Sequence, residues 1–173
     1  MKNIVIIGMM GCGKSTCGRY LSEFTGLPLV DTDQLITERT GKTPSEIFAQ
    51  QGEQYFRDLE TDLCRELSEQ SGLIIATGGG LPLREENRRL LRENGVVVFL
   101  SRPAEDIFNP EKLKDRPLAQ MGKENFLRRF EERVPIYREM AHYEVESAPV
   151  KAETAKKVLA VWEKETGVLS LES

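Results

Sequence analysis

The stretch Gly8-Met9-Met10-Gly11-Cys12-Gly13-Lys14-Ser15-Thr16 decides the fold of this chain of 173 residues. It follows the apolar run Ile4-Val5-Ile6-Ile7 and matches the phosphate-binding pattern of a glycine, four residues and then Gly-Lys-Ser/Thr. Glycines let consecutive backbone N–H groups turn toward an anion, and the following helix directs its positive N-terminal end at the same point. A chance glycine-rich turn would not combine these fixed positions with a buried strand before the loop and a helix after it.

The side chains of this loop predict a site for ATP and Mg²⁺. Lys14 is expected to reach the β- and γ-phosphates, and the hydroxyl of Ser15 is expected to ligate Mg²⁺. Cys12 is interpreted as a small spacer, with a redox-sensing thiol as the alternative. The residues predicted to bind the nucleotide are Gly11, Cys12, Gly13, Lys14, Ser15 and Thr16.

Composition and charge exclude several classes of protein. The net charge of −4 gives no general attraction to nucleic acid, and no apolar run approaches the roughly 20 residues that cross a membrane. Three cysteines with irregular spacing fit neither a disulfide framework nor a zinc site, so we expect a cytoplasmic location. His142 is the single histidine, which excludes a two-histidine metal site. No apolar surface stripe is left unassigned, and we expect a monomer.

Strand and helix patterns alternate along the chain and predict one domain over residues 1–173. Repeated β-α units give a parallel sheet with helices on both faces, so we predict a three-layer α/β/α fold around a five-stranded parallel sheet. The predicted strands cover residues 4–7, 27–30, 73–76, 96–100 and 143–146. The predicted helices cover residues 14–25, 84–94, 126–137 and 154–166, a short helix that starts at the capping box 43–46, and a longer one through residues 55–67. Gly95 is expected to end the helix at residues 84–94.

Polar segments follow three of the predicted strands and should meet at the edge where ligands bind. The strand at residues 73–76 ends without an acid, so Asp31 is the candidate second ligand of Mg²⁺ beside Ser15. Asp33 is expected to face an acceptor substrate, with capping of the next helix as the alternative. Three consecutive glycines at residues 78–80 cost chain entropy, which favours a ligand that approaches their free N–H groups over a simple connection.

At this point the chain resembles the shikimate kinases, small relatives of the nucleoside monophosphate kinases. The resemblance extends from residue 1 to about residue 166 and rests on the order and spacing of several motifs. Those motifs are the phosphate loop, Asp31-Thr32-Asp33, Tyr55-Phe56-Arg57-Asp58-Leu59-Glu60, Thr77-Gly78-Gly79-Gly80, Arg116-Pro117-Leu118, and Arg133 followed by Tyr137.

The resemblance implies a P-loop NTPase fold that transfers the γ-phosphoryl group of ATP to the 3-hydroxyl of shikimate. It implies a mobile lid at about residues 109–123 and a substrate-binding helical region at about residues 32–60. Lys14, Asp33 and Arg116 would be catalytic, with Arg116 reaching the ATP phosphates. The residues implied to hold shikimate are Asp33, Arg57, Gly78, Gly79, Gly80 and Arg133.

The chemistry of the acceptor agrees with these roles. Shikimate carries a carboxylate, and an arginine can bind a carboxylate through two parallel hydrogen bonds. Surface ion pairs are the alternative, for Arg57 with Asp58 or with residues near Glu60, and for Arg133 with Glu131 or Glu132. Asn109 departs from the second lid arginine that many relatives carry, and residues 147–151 lack an arginine found in some relatives near the adenine.

Two other classes of function stay open at this point. A gluconate or nucleoside kinase would share the phosphate loop and lid, with less need of two arginines beside the acceptor. A nucleotide-dependent switch would carry a guanine-selecting Asn-Lys-x-Asp motif, which this chain lacks.

Overall fold

The central sheet consists of short, parallel, mostly buried strands. A computed structural model describes residues 1–107 and 122–168. Within those residues the strands are β1 (Asn3–Ile7), β2 (Leu29–Asp31), β3 (Ile74–Ala76), β4 (Gly95–Ser101) and β5 (Tyr143–Glu146). They are ordered β2-β3-β1-β4-β5, and all neighbours are parallel. Every residue of the central strand β1 is buried, which explains its continuous apolar sequence.

Helices cover both faces of this sheet. The described helices are α1 (Lys14–Thr25), α2 (Thr32–Thr40), α3 (Pro44–Gln51), α4 (Glu53–Ser68), α5 (Glu85–Glu93), α6 (Ala104–Ile107), α7 (Lys123–Met140) and α8 (Lys151–Thr166), with a 3₁₀ helix at Leu81–Leu83. Helix α1 packs against α8, whereas α4 packs against α5. The predicted α/β/α fold with five parallel strands is therefore confirmed.

Two helix starts follow the chemistry read from the sequence. Helix α1 begins after Gly13, whose φ angle is 95°. It ends before Gly26, which adopts the left-handed conformation (φ 74°) that is common at the C-terminal ends of helices. At α3 the hydroxyl of Thr43 accepts the Glu46 N–H at 3.2 Å, while the Thr43 N–H donates to the Glu46 carboxylate at 3.3 Å. The predicted capping box is therefore confirmed.

Other predicted boundaries were wrong. Gly95 does not end the preceding helix, because α5 stops at Glu93 and Gly95 is the first residue of β4. A Cβ on Gly95 would lie 2.5 Å from the carbonyl oxygen of Leu91 and 2.8 Å from Cγ2 of Val5. Gly95 is thus needed for close packing between a helix and a strand. Helix α8 begins three residues earlier than predicted, at Lys151.

The predicted lid at residues 109–123 lies outside the described residues except for its last two. Gly122 precedes α7, and Lys123 is the first residue of that helix. No helix in the described ranges has the length and hydropathy that a membrane-spanning helix requires.

His142 links β5 to β4 through two hydrogen bonds with Val97. Its ring Nδ1 accepts the Val97 N–H at 2.9 Å, and its own N–H donates to the Val97 carbonyl at 2.8 Å. Partial burial lowers the pKa of His142, the positive charges of Arg92 and Lys2 lower it further, and Glu165 opposes them.

We expect this link to make the stability of the protein depend on pH. Because the pKa of His142 is lowered in the folded state, the unfolded chain binds the proton more readily. The contribution of the link is therefore full above the unfolded pKa of about 6.5 and is lost as the pH falls below it. Relative to His142→Asn, the free energy of unfolding of the wild type should fall by up to about 1 kcal/mol between pH 7.5 and 5.5. Urea denaturation of both proteins measures it, and a constant difference would contradict the prediction.

Candidate active site

The phosphate loop is already shaped to surround an anion. Gly11 and Gly13 have φ angles of 77° and 95°, which place them in the left-handed region and turn the chain sharply. The side chain of Lys14 is buried, and its Nζ donates to the carbonyl oxygens of Gly8 and Met9, both at 2.8 Å. This ammonium group is therefore held along the loop at the position from which a phosphate chain can be reached.

The metal side of the loop joins α1 to the end of β2. The hydroxyl of Ser15 donates a short hydrogen bond to the carboxylate of Asp31. Asp31 also caps α2, because its other oxygen accepts the Gln34 N–H at 3.1 Å. The capping role considered for Asp33 thus belongs to Asp31.

These oxygen atoms fit the preferences of Mg²⁺. A hydroxyl and a carboxylate lie side by side next to the phosphate loop, and Mg²⁺ prefers a few protein oxygens supplemented by phosphates and water. Among residues 1–107 and 122–168, no group of three or more histidine, cysteine or acidic side chains could hold a metal ion. Ser15 and Asp31 each supply an oxygen of this kind beside the phosphate loop.

The glycine run at residues 78–80 gives room to three charged side chains. None of these glycines has a positive φ, so the backbone conformation does not require glycine. Instead, an added Cβ would meet a neighbouring side chain at each position. The contacts would be 2.5 Å from Gly78 to Asp33 Oδ1, 3.4 Å from Gly79 to Arg133 Nη1, and 2.5 Å from Gly80 to Arg57 Cζ. The run therefore brings together residues that are far apart in the sequence.

The prediction that the N–H groups of this run are free was only partly correct. The Gly78 N–H donates to the hydroxyl of Thr32 at 2.9 Å, which ties the run to the start of α2. The carbonyl of Gly79 is also engaged, since it accepts the hydroxyl of Tyr137 at 2.5 Å.

Arg57 is held on α4 by charge and by aromatic rings. Its Nη1 donates to Glu60 at 2.7 Å, and its guanidinium lies about 5.5 Å from the ring centres of Phe48 and Phe56. A longer bond of 3.3 Å joins it to Glu53. Pairing with Asp58 was a wrong alternative, because that residue pairs with Arg84. Arg57 is thus fixed in place and partly neutralised.

Glu60 is the buried partner of this arginine, and the sequence had suggested no role for it. Burial raises its pKa to about 7 against the opposing effect of Arg57, and the nearby charge of Asp33 raises it further. Glu60 Oε2 and Arg57 Nε have no hydrogen-bond partner in the described part of the chain. The spacing of an arginine and a glutamate three residues apart on an amphipathic helix was the signal that could have identified the pair.

Arg133 enters the site from α7 and is also buried. Burial lowers its pKa, the neighbouring phenol of Tyr137 opposes this, and the charge of Arg57 lowers the pKa again. The predicted alternative pairing with Glu132 was wrong, since Glu132 pairs with Arg129 at 3.4 Å. No ion pair of Arg133 is found among the residues described. Two buried guanidinium groups near one glycine run therefore favour an anionic ligand between them.

One cleft connects the two halves of the site. Its lining combines the phosphate loop with the acids after β2 and the glycines after β3, and consists of Met10, Gly11, Gly13, Lys14, Ser15, Thr16, Asp31, Asp33, Thr77, Gly78 and Gly79. The side chain of Cys12 is fully buried and lies outside this lining, as a spacer would. Arg116 falls outside the described residues.

A parallel sheet with a phosphate loop after its central strand, opening into a second polar site, defines a P-loop kinase. The chain belongs to the shikimate kinase family, whose model matches residues 10–163. The recognition made from the motifs is thereby confirmed.

Individual relatives agree over most of their length. The shikimate kinase of Clostridium botulinum (strain Eklund 17B / Type B) is 43% identical over 143 residues, which cover 82% of this chain and 86% of that protein. The shikimate kinase of Caldicellulosiruptor bescii is 39% identical over 167 residues, covering 93% and 95%. A structure of the Acinetobacter baumannii shikimate kinase in complex with shikimate has a TM-score of 0.90 at 36% identity, covering 96% and 95%. The protein is accordingly a phosphotransferase with an alcohol acceptor that uses ATP and Mg²⁺.

We expect Gly80→Ala to weaken acceptor binding without affecting the nucleotide. A methyl group at this position would overlap the guanidinium of Arg57, which Glu60 and two rings prevent from moving away. The loss of well-placed hydrogen bonds should raise the KM for the acceptor about tenfold or more. Steady-state kinetics with shikimate, the ligand named for the Acinetobacter structure, measures the effect.

Gly95→Ala is the matched control, because its methyl group would also overlap neighbouring atoms but lies away from the cleft. It should lower the melting temperature and leave both KM values unchanged. An unchanged acceptor KM in Gly80→Ala would show that Arg57 does not need this space.

Proposed function

We propose that this protein transfers the γ-phosphoryl group of ATP to the 3-hydroxyl of shikimate. The observation that carries the proposal is the convergence of Asp33, Arg57 and Arg133 on the glycine run beside the phosphate loop. Such a site suits a small molecule that bears both a carboxylate and hydroxyl groups. The relatives at 39% to 43% identity favour this substrate over gluconate or a nucleoside.

Arg57 and Arg133 are proposed to bind the carboxylate of the acceptor. Both are buried, and the positive charge of Arg57 lowers the pKa of Arg133. A carboxylate placed between them would offset that repulsion and accept paired hydrogen bonds from a planar donor group. Glu60 would keep Arg57 in position without occupying all of its N–H groups.

Asp33 is proposed to orient the hydroxyl that is phosphorylated. It lines the cleft next to Gly78 and shares that cleft with Lys14 and Ser15. A carboxylate there can accept the hydroxyl hydrogen and direct the oxygen toward the phosphate loop. Phosphoryl transfer depends mainly on such alignment and on neutralising charge.

The phosphate loop is proposed to bind ATP through the N–H groups of residues 11–16 and through Lys14. Lys14 would exchange the carbonyls of Gly8 and Met9 for phosphate oxygens, which are stronger acceptors for an ammonium group. Ser15 and Asp31 would hold Mg²⁺, which when bound neutralises charge on the phosphates. Arg116 is assigned to the same phosphates on the basis of the family resemblance.

We further propose that residues 1–173 form one domain that acts as a monomer in the cytoplasm, without a nucleic acid or membrane partner. Residues 32–60 would form the acceptor region and residues 109–123 the lid. The single sheet that runs through the described residues supports one domain.

A coupled assay for ADP release tests the proposed reaction. With ATP and Mg²⁺ present, release should depend on shikimate and should not respond to gluconate or to nucleosides. Release that shikimate does not stimulate would contradict the proposal.

We expect Asp33→Asn to reduce turnover while leaving nucleotide binding intact. An amide keeps the shape of the side chain but cannot accept the hydroxyl proton, and such groups contribute about a hundredfold or more to the rate. The value of kcat should fall by that factor, and the Kd for ADP from calorimetry should stay within about twofold.

Asp31→Asn provides the comparison, because Asp31 contacts Ser15 and should affect the Mg²⁺ requirement. A loss of ADP affinity in Asp33→Asn of the kind expected for Asp31→Asn would move Asp33 to the metal site.

A further inference from the structure

Tyr137 is a fully buried residue at the junction of both halves of the active site. It lies one helical turn after Arg133 on α7, so the two side chains share a face of that helix. Its ring packs against Phe99 of β4, with 5.3 Å between the ring centres. The ring is therefore held by the core, and the hydroxyl group projects from a fixed base.

The hydroxyl of Tyr137 connects two groups of the acceptor site. It donates to the carbonyl of Gly79 at 2.5 Å, and the guanidinium of Arg133 lies near enough for each group to influence the pKa of the other. Burial raises the pKa of Tyr137, so the hydroxyl keeps its proton and its donor role at neutral pH.

Gly79, which accepts the hydrogen bond from Tyr137, lies next to the phosphate loop. A Cβ on Gly79 would lie 3.4 Å both from Arg133 Nη1 and from the backbone nitrogen of Met10. The sulfur of Met9 lies 3.6 Å from the Tyr137 hydroxyl. The phenol thus contacts Met9 of the loop and Gly79 of the glycine run, and Arg133 lies beside the same glycine.

The bond to Gly79 also sets the direction of the next peptide N–H. The peptide between Gly79 and Gly80 is trans, so its N–H points opposite to the carbonyl that Tyr137 holds. No hydrogen-bond partner of the Gly80 N–H is found among the described residues. The peptide is therefore oriented without its N–H being used.

We propose that Tyr137 is a positioning residue for the acceptor, acting through Arg133 and through the peptide between Gly79 and Gly80. This inference rests on the proposed function. The phenol holds the guanidinium and the peptide at a fixed separation from the phosphate loop before any ligand binds. The acceptor then binds to groups that need no reorientation, and its affinity depends on a hydroxyl that does not touch it.

Tyr137→Phe tests this role because it removes the hydroxyl and leaves the ring in the core. The Gly79 carbonyl loses its donor and Arg133 loses a polar neighbour, so the KM for shikimate should rise about tenfold. The KM for ATP should stay within about twofold, because the phosphate loop keeps its own hydrogen bonds.

Tyr143→Phe is the matched control. The hydroxyl of Tyr143 donates to Glu165 at 2.6 Å on the surface, far along the chain from the cleft residues. This variant loses a hydrogen bond of similar length and should leave both KM values within about twofold. Melting temperatures of both variants report the structural cost separately.

A double-mutant cycle with Arg133→Lys separates positioning from general weakening. If the phenol acts through Arg133, then Tyr137→Phe should raise the shikimate KM of the Arg133→Lys protein by about threefold or less. Full additivity, with tenfold effects of each change, would overturn action through Arg133.

The remaining outcomes are distinct. A Tyr137→Phe protein that melts at lower temperature but keeps the wild-type KM for shikimate would overturn the positioning role. Equal increases in both KM values would do the same. Failure of the wild type to release ADP in response to shikimate would instead contradict the proposed function.

Discussion

The absence of side chains at residues 78–80 is the constraint on which the active site depends. Three charged groups from α2, α4 and α7 lie so close to this run that a single Cβ at any of its positions would overlap or crowd one of them. Glycine is needed here for space, since the backbone angles themselves are ordinary. The run also lies against the phosphate loop at Met10, so the same lack of atoms brings the three charged side chains close to that loop.

The charges around this run are arranged to leave room for an anion. Arg57 has a buried carboxylate beside it, whereas Arg133 has a phenol. Burial makes each charge costly, and attraction between Arg57 and Glu60 offsets only part of that cost. A ligand carboxylate between the two arginines would offset the remaining cost of burying their positive charges. The same buried hydrogen bonds and aromatic contacts that stabilise Arg57 limit its motion, which favours a preformed site over one that assembles on binding.

Much of the candidate site could be predicted because strand ends in a parallel sheet share one edge. The phosphate loop, Asp31 and the glycine run each follow a strand, and simple topology predicted their meeting. The division of roles between the two acids was harder to predict, because either can cap a helix from its position in the sequence. Only the bond from Asp31 to Gln34 assigns the cap, and only the tertiary structure shows that Asp33 lines the cleft beside Gly78.

The sequence by itself determined the fold, since buried apolar runs, helix caps and the spacing of the phosphate loop are local properties. It also determined the family, because the order and spacing of the motifs can be read from the sequence alone. The tertiary structure decided which side chains surround the glycine run, which partner Arg57 takes, and that Gly95 serves packing where a helix end was expected. It also showed that Glu60 and Tyr137 lie behind the arginines. Those facts depend on contacts between distant segments, and a pattern along the chain carries no information about distance across it.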